Sequence, residues 1–265
     1  MRENKVKRTL HQGGVALGTM LFEFNTPGIA QLMASAGADF AIFDMEHTGW
    51  SVETIRALMA TSRGADLTPM VRVPATEYHF LARVLDVGAM GLMVPMVESV
   101  EQARRIVQAA KYPPVGRRGA AFSVAHDDYL EGDVVTKMQS ANEEGLLIAL
   151  IETAQGVQNV DEIAALDGID VLWLGHFDLT NSLGIPAQFT HPDYRRAVDR
   201  ILEACQRHGK APGFMVASPE EGRASLAQGF RCLAYWTDHL LYRQALREGI
   251  QGVRASADQP RRSQP

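Results

Sequence analysis

Residues 38–47 read ADFAIFDMEH, an apolar run of strand length that stops at Asp44, Glu46 and His47. The same design recurs along the chain. LTPMVRVP (67–74) carries Arg72, LLIALIET (146–153) ends at Glu152, and IDVLWLGHFDL (169–179) leads to Asp178. Acidic, basic and imidazole groups at the ends of several apolar runs predict one catalytic face, built from the C-terminal ends of parallel strands.

Working outward, VALGTM (15–20), MGLMVPMV (90–97), APGFMV (211–216) and FRCLAYW (230–236) bring the strand-like runs to eight. Helix-like segments separate them. Ser51 opens SVETIRALMATSRG and Ser99 opens SVEQARRIVQAAKYPP, while Asn25 or Thr26 is expected to cap the helix after Pro27. Strands apolar on both faces require a sheet covered on all sides. Eight of them in 265 residues predict a single-domain α/β fold, a (β/α)₈ barrel spanning 1–265. Residues 1–12 and 254–265 are polar and are expected to be flexible tails. Residues 115–145 interrupt the alternation as an insertion, expected to act as a lid near the barrel mouth.

A formal net charge of −5 argues against nucleic-acid binding, and no segment has the apolar length of a membrane span. No apolar core follows the charged start MRENKVKRTLHQG, so a cytoplasmic protein is expected. Cys205 and Cys232 lack metal-ligand spacing and are expected to be buried free thiols. There is no G-x-G-x-x-G after the first strand and no Walker loop.

The strand-end residues divide by chemistry. Glu152 and Asp178 suit a hard or borderline divalent cation, although a lone Asp178 could equally be a helix cap. His47 is a candidate general base near neutral pH, or a loop histidine bonded to Asp44. Only one of Asp44 and Glu46 is expected to face the pocket. Arg72, a charge within a strand, suits a carboxylate or a developing enolate oxygen. Asp86, on a helix-like segment, reads by itself as a solvated residue. Arg117 and Arg118 could grip an anion, with a solvated turn the simpler reading.

Taken together, the strings DMEHTGW, RVP, LDVGAMGLMVPMVESVEQA, KYPPVGRRG, IETAQGVQNVDEI and DVLWLGHFDLTNSLGIP resemble the HpcH/HpaI family of class II pyruvate aldolases. The resemblance runs from about Gly18 to Trp236. It implies a metal-dependent (β/α)₈ barrel that reversibly cleaves 4-hydroxy-2-oxo acids to pyruvate, or hydroxypyruvate, and an aldehyde through an enolate. It implies Mg²⁺, Mn²⁺ or Co²⁺ on Glu152 and Asp178. His47 then falls at the base, with Asp44 alongside, Arg72 at the enolate oxygen, and Asp86 as the acid that raises the histidine's basicity. The backbone N–H near Phe177 would help hold the pyruvyl carboxylate. It also implies a homo-oligomer, a hexamer, with final helices exchanged between barrels; Leu240, Leu241, Tyr242 and Leu246 fit that and an ordinary barrel helix equally.

Two positions depart from the family pattern. Leu150 stands where a glutamine touching the oxo acid is common, which puts pyruvate affinity or donor choice in question. His176 follows Gly175 where proline is common, and either reaches the site or makes a local loop contact. Two further readings stand beside the aldolase: another carbon–carbon lyase of the citrate-lyase-β or malyl-coenzyme-A type, and a poorly active oxoacid-binding barrel with Leu150 as its symptom.

Overall fold

The computed structural model describes residues 2–257. Eight strands close a parallel barrel in sequence order: β1 (Ala16–Leu21), β2 (Phe40–Asp44), β3 (Thr68–Arg72), β4 (Gly91–Val94), β5 (Leu146–Ile151), β6 (Val171–Leu174), β7 (Ala211–Val216) and β8 (Cys232–Thr237). Helix α1 (Lys5–His11) precedes β1; α2 (Ile29–Ser35), α3 (Val52–Ser62), α4 (Tyr78–Asp86) and α5 (Val100–Ala110) follow β1 to β4. Then α6 (Val134–Glu144) precedes β5, and α7 (Ala154–Gln158) and α8 (Val160–Ala165) follow it. After β6 come α9 (His176–Ser182) and α10 (Pro192–His208); α11 (Pro219–Gln228) follows β7, and α12 (Asp238–Ala257) follows β8. The predicted (β/α)₈ barrel is therefore the fold.

Two apolar layers hold it together. The barrel interior contains Met20, Phe40, Ile42, Met70, Met93, Ile148, Leu150, Trp173, Ala211 and Cys232; a second layer lies between the strands and the helices. Large and small side chains alternate inside, as a closed barrel of this size requires. A methyl group on Gly213 would fall 2.3 Å from the Trp173 ring, so the glycine makes room for the indole. Both cysteines are free and buried, and burial pushes the Cys205 thiol up to about 12. Among the described residues no helix is long and apolar enough to cross a membrane.

Helix starts follow the sequence where a hydroxyl stands at the right place. Ser51 accepts the Thr54 N–H, and Ser99 accepts the Gln102 N–H. The expected cap by Asn25 or Thr26 does not form. The Pro27-Gly28 turn intervenes, Gly28 becomes the N-cap of α2, and the Thr26 carbonyl accepts the Ile29 N–H instead.

Three further expectations are corrected. The segment 1–12 is not a loose tail: Val6 and Leu10 of α1 join the barrel interior, and buried Asn4 caps the helix and donates to the carbonyls of Met90 and Glu144. Likewise α12 runs through residues 254–257, while 258–265 lie outside the described residues. The insertion 115–145 joins the end of α5 to the start of β5, which puts it at the foot of the barrel, away from the mouth. A βα segment lies at the mouth and an αβ segment at the foot, so the position of the insertion in the repeat decides its place.

The last helix differs from the others. Every described residue from Tyr242 to Ala255 is exposed, including Leu246, Ile250 and Val253 at helical spacing. Leu17 of β1 and Tyr235 of β8 are also exposed on the outer wall of the barrel. Thus α12 leaves its own barrel after its first turn.

Candidate active site

Side chains two residues apart on a strand share a face. In β5 the inward series Leu146, Ile148, Leu150 continues to Glu152, just beyond the strand; in β2, Phe40 and Ile42 continue to Asp44, and in β3, Met70 continues to Arg72. The alternation that fills the barrel therefore delivers a glutamate, an aspartate and an arginine to the top of its interior. Asp44 and Arg72 are paired neighbours in the β2–β3 register.

Arg72 is the hub of these charges. Its Nε donates to Asp44 Oδ1 at 2.5 Å, and its Nη1 lies 2.9 Å from Glu46 Oε2. Asp44 and Glu46 both face the site, contrary to expectation, because their spacing of two keeps them on one side. The Phe22 ring lies against the guanidinium, with 5.4 Å between ring centre and Cζ. Asp238, at the start of α12, holds that ring's loop by accepting the backbone N–H groups of Phe22, Glu23 and Phe24; these bonds, outweighing burial, lower its pKa.

Asp44 also shapes the histidine loop. Its carboxylate accepts the backbone N–H groups of Glu46 and His47 at 3.2 and 2.9 Å, and its carbonyl accepts the Thr48 hydroxyl. The imidazole itself is not bonded to Asp44. It is half exposed, with Nε2 3.8 Å from Glu46 Oε2.

Glu152 is buried and accepts the Met96 backbone N–H at 2.7 Å. Met96 holds left-handed backbone (φ 53°), a strained state for a methionine that points its N–H at the carboxylate. Burial pushes Glu152 up to about 7; Glu46 and Asp178 add to the rise, and Met96 and Arg72 oppose it. Gly175 packs beneath it, where a methyl group would fall 2.5 Å from both Glu152 Cβ and Oε2. Asp178 sits exposed in the first turn of α9, directly after β6.

This donor set fits a hard divalent cation. Burial also raises the Glu46 pKa, and Glu46 Oε2, off the hydrogen-bonding direction of Arg72, is a buried oxygen without a hydrogen-bond partner among the described residues. No three His, Cys, Asp or Glu side chains of the described residues converge as a ready-made cage. Two carboxylates, with the other coordination positions left to water and substrate oxygens, are the Mg²⁺-like arrangement.

The remaining candidates lie elsewhere or act indirectly. Asp86 ends α4 at the foot of the barrel, where it accepts from Arg118 Nη2 at 2.6 Å. Within one chain it cannot reach His47, because barrel helices run back from the mouth. Arg118 is thereby committed, and Arg117 donates to Gln108. His176 makes the local contact: its ring packs among Phe177, Phe189 and Phe214, and burial lowers its pKa. Leu150 is buried in the interior one layer below Glu152. Sequence reading missed Met96 and Gly175, whose contributions are a backbone N–H and an absent side chain. Only the place of Gly175, at the end of the β6 run, marked it.

The chain is similar to known proteins along nearly its whole length. The family model described as HpcH/HpaI aldolase/citrate lyase matches residues 19–245. A 2-keto-3-deoxy-L-rhamnonate aldolase of Klebsiella pneumoniae is 33% identical over 257 residues, 97% of this chain and 96% of the relative. The crystal structure of an HpcH/HpaI aldolase from Desulfitobacterium hafniense superposes with a TM-score of 0.90 at 30% identity, covering 98% of both chains. The citrate synthase SbnG gives 0.85 at 29%, covering 96% of this chain and 98% of that one.

Proposed function

The chain belongs to the HpcH/HpaI aldolase/citrate lyase family, and on that premise we propose that it is a class II aldolase acting on 4-hydroxy-2-oxo acids, with Glu152 and Asp178 as its metal ligands. The observation that carries this reading is the burial of Glu152 among like charges, with its pKa raised, at a mouth that also holds Arg72 and His47. A divalent cation held there supplies Lewis-acid polarisation of the oxo acid's oxygens.

The chain's own residues divide the rest of the work. Arg72, fixed by Asp44 and Glu46, presents positive charge where the enolate oxygen develops. His47 takes the proton of the C4 hydroxyl; the C3–C4 bond breaks, its electrons form the enolate, and the aldehyde leaves. A proton delivered to C3 completes pyruvate. Asp44 sets the backbone of the His47 loop, a positioning role. The Phe177 N–H lies in the first turn of α9, where backbone donors have no acceptor within the helix, and it suits the pyruvyl carboxylate. Leu150 offers no hydrogen bond, so recognition of the oxo acid rests on Arg72 and that N–H. Any part for Asp86 requires a second copy.

A homo-oligomer, a hexamer with exchanged last helices, is part of the proposal. Its support is the exposed stripe of α12 and the bare outer wall at Leu17 and Tyr235. The test of function is pyruvate release from a panel of 4-hydroxy-2-oxo acids, with EDTA and then with Mn²⁺, Mg²⁺ or Co²⁺. Release restored by metal is the expected result. A folded protein that releases no pyruvate with any of the metals overturns the proposal.

A further inference from the structure

The acceptor side of the mouth has a chemistry of its own. Between each strand end and the next helix lie residues 22–28, 45–51, 73–77, 95–99, 152–153, 175 and 217–218, while β8 runs directly into α12. None of these segments contains a lysine or an arginine. The one cation at a strand end, Arg72, is already engaged by Asp44 and Glu46. Glu46, Glu152 and Asp178 add negative charge around it. Within one chain, a second carboxylate at the far end of an aldehyde would find no counter-charge among these segments.

Apolar surface stands in its place. Met96 is 46% exposed although its backbone holds Glu152, and Phe177 is 55% exposed beside Asp178. Phe22 covers the face of Arg72. Phe189 packs edge-on against Phe177, their centres 5.3 Å apart, and is itself partly exposed. These side chains come from the ends of β1, β4 and β6 and from the α9–α10 connection, so they border the carboxylates on several sides.

We infer that this rim is the aldehyde subsite and that it selects an uncharged aldehyde with an apolar alkyl or aryl substituent, over one bearing a carboxylate or several hydroxyls. The inference rests on the aldolase reading given above. Each methylene of a substituent that becomes buried against apolar side chains is worth about ten-fold or more in discrimination. A carboxylate buried there without a partner loses its hydration with nothing to replace it.

The test uses the full chain with Mn²⁺ and pyruvate, and compares three acceptors: pentanal, succinic semialdehyde and glyceraldehyde. Exchange of the pyruvate methyl protons in D₂O is followed in parallel, since it reports enolate formation without any aldehyde. The expected result is exchange together with a kcat/KM for pentanal about ten-fold or more above both others. In Phe189→Ala, which alters neither carboxylate nor Arg72, the preference for pentanal should shrink several-fold while exchange persists. Exchange with succinic semialdehyde or glyceraldehyde equal to or better than pentanal overturns the inference alone. Absence of exchange at every metal concentration removes the aldolase reading, and this inference with it.

Discussion

The backbone N–H of Met96 donates to Oε1 of Glu152 at 2.7 Å, joining the end of β4 to the end of β5 across the mouth. On its other side, Glu152 rests on Gly175. The carboxylate is thus clamped between a strained backbone donor and a missing side chain. Gly175→Ala should displace it without unfolding the barrel, since the clash is confined to the end of β6. Mn²⁺ affinity measured by calorimetry is expected to fall about 10- to 100-fold, the scale of lost ligand positioning. An unchanged affinity would show that Glu152 is not a ligand.

Metal binding should also depend on pH in a defined way. Burial pushes the Glu152 carboxyl up to about 7, and the proposed ligand is its ionised form. Below pH 7 a cation must displace a proton, so affinity should drop by about ten-fold per pH unit. Above pH 7 this dependence should flatten. Because the folded pKa is raised, ionisation of Glu152 disfavours the metal-free fold as pH rises from the ordinary carboxylate range to 7. Thermal shifts with and without Mn²⁺ at pH 5.5, 6.5 and 7.5 check both signs.

Arg72→Lys should fail to preserve activity. A lysine cannot engage Asp44 and Glu46 through one planar fork and still present charge to the substrate. Loss of about 10²- to 10³-fold in kcat is expected, the scale of a missing oxyanion donor. Arg72→Met should in addition destabilise the fold by about 3–5 kcal/mol, because buried Asp44 loses its counter-charge. Steady-state rates and urea melts of both variants separate the two effects.

At the foot of the barrel, buried Asp170 lies 3.2 Å from Lys7 Nζ and 3.0 Å from His11 Nε2, and accepts the Leu147 N–H at 2.8 Å. These partners, outweighing burial, hold its carboxyl below the usual carboxylate range. The stability it contributes is therefore present above the unfolded carboxylate pKa and is lost as pH falls through the folded value. Asp170→Ala should cost about 3–5 kcal/mol at pH 7 and blunt the acid limb of the stability profile. A variant with an unchanged urea midpoint would refute the role.

The exposed stripe on α12 gives a separate test. Leu246→Glu combined with Val253→Glu places two charges on that face. In sedimentation the parent is expected to run as an oligomer and the variant as smaller species. If both the parent and the variant sediment as monomers, the oligomer is wrong.

The sequence made the barrel legible because each strand is short, apolar on both faces and closed by a helix signal. The candidate site was legible where a charged side chain stands at a strand end, as at Asp44, Arg72, Glu152 and Asp178. It was illegible where the contribution is backbone, as at Met96, or absence, as at Gly175. Glu46 was misplaced through its parity with Asp44, a spacing that already puts both on one face. The foot of the barrel was harder for another reason. Residues 1–12 look polar in sequence, yet Val6 and Leu10 complete the interior, and Lys7 is buried against Asp170. A charged residue reads as exposed until its distant partner is known.

That distance carries a consequence for how the chain folds. The Leu10 carbonyl accepts from Arg231 Nη1, a partner 221 residues later, and β1 pairs with β8. Strand β1 therefore has one neighbour close in sequence, β2, and the other, β8, at the far end of the barrel. Closure waits for β8, and long-range pairing of this kind slows folding. Until β8 arrives, both edges of the nascent sheet stay open, and the apolar side of α1 has no floor to cover. The seam that closes last is thus the one beside α1, the segment that looks most dispensable in sequence.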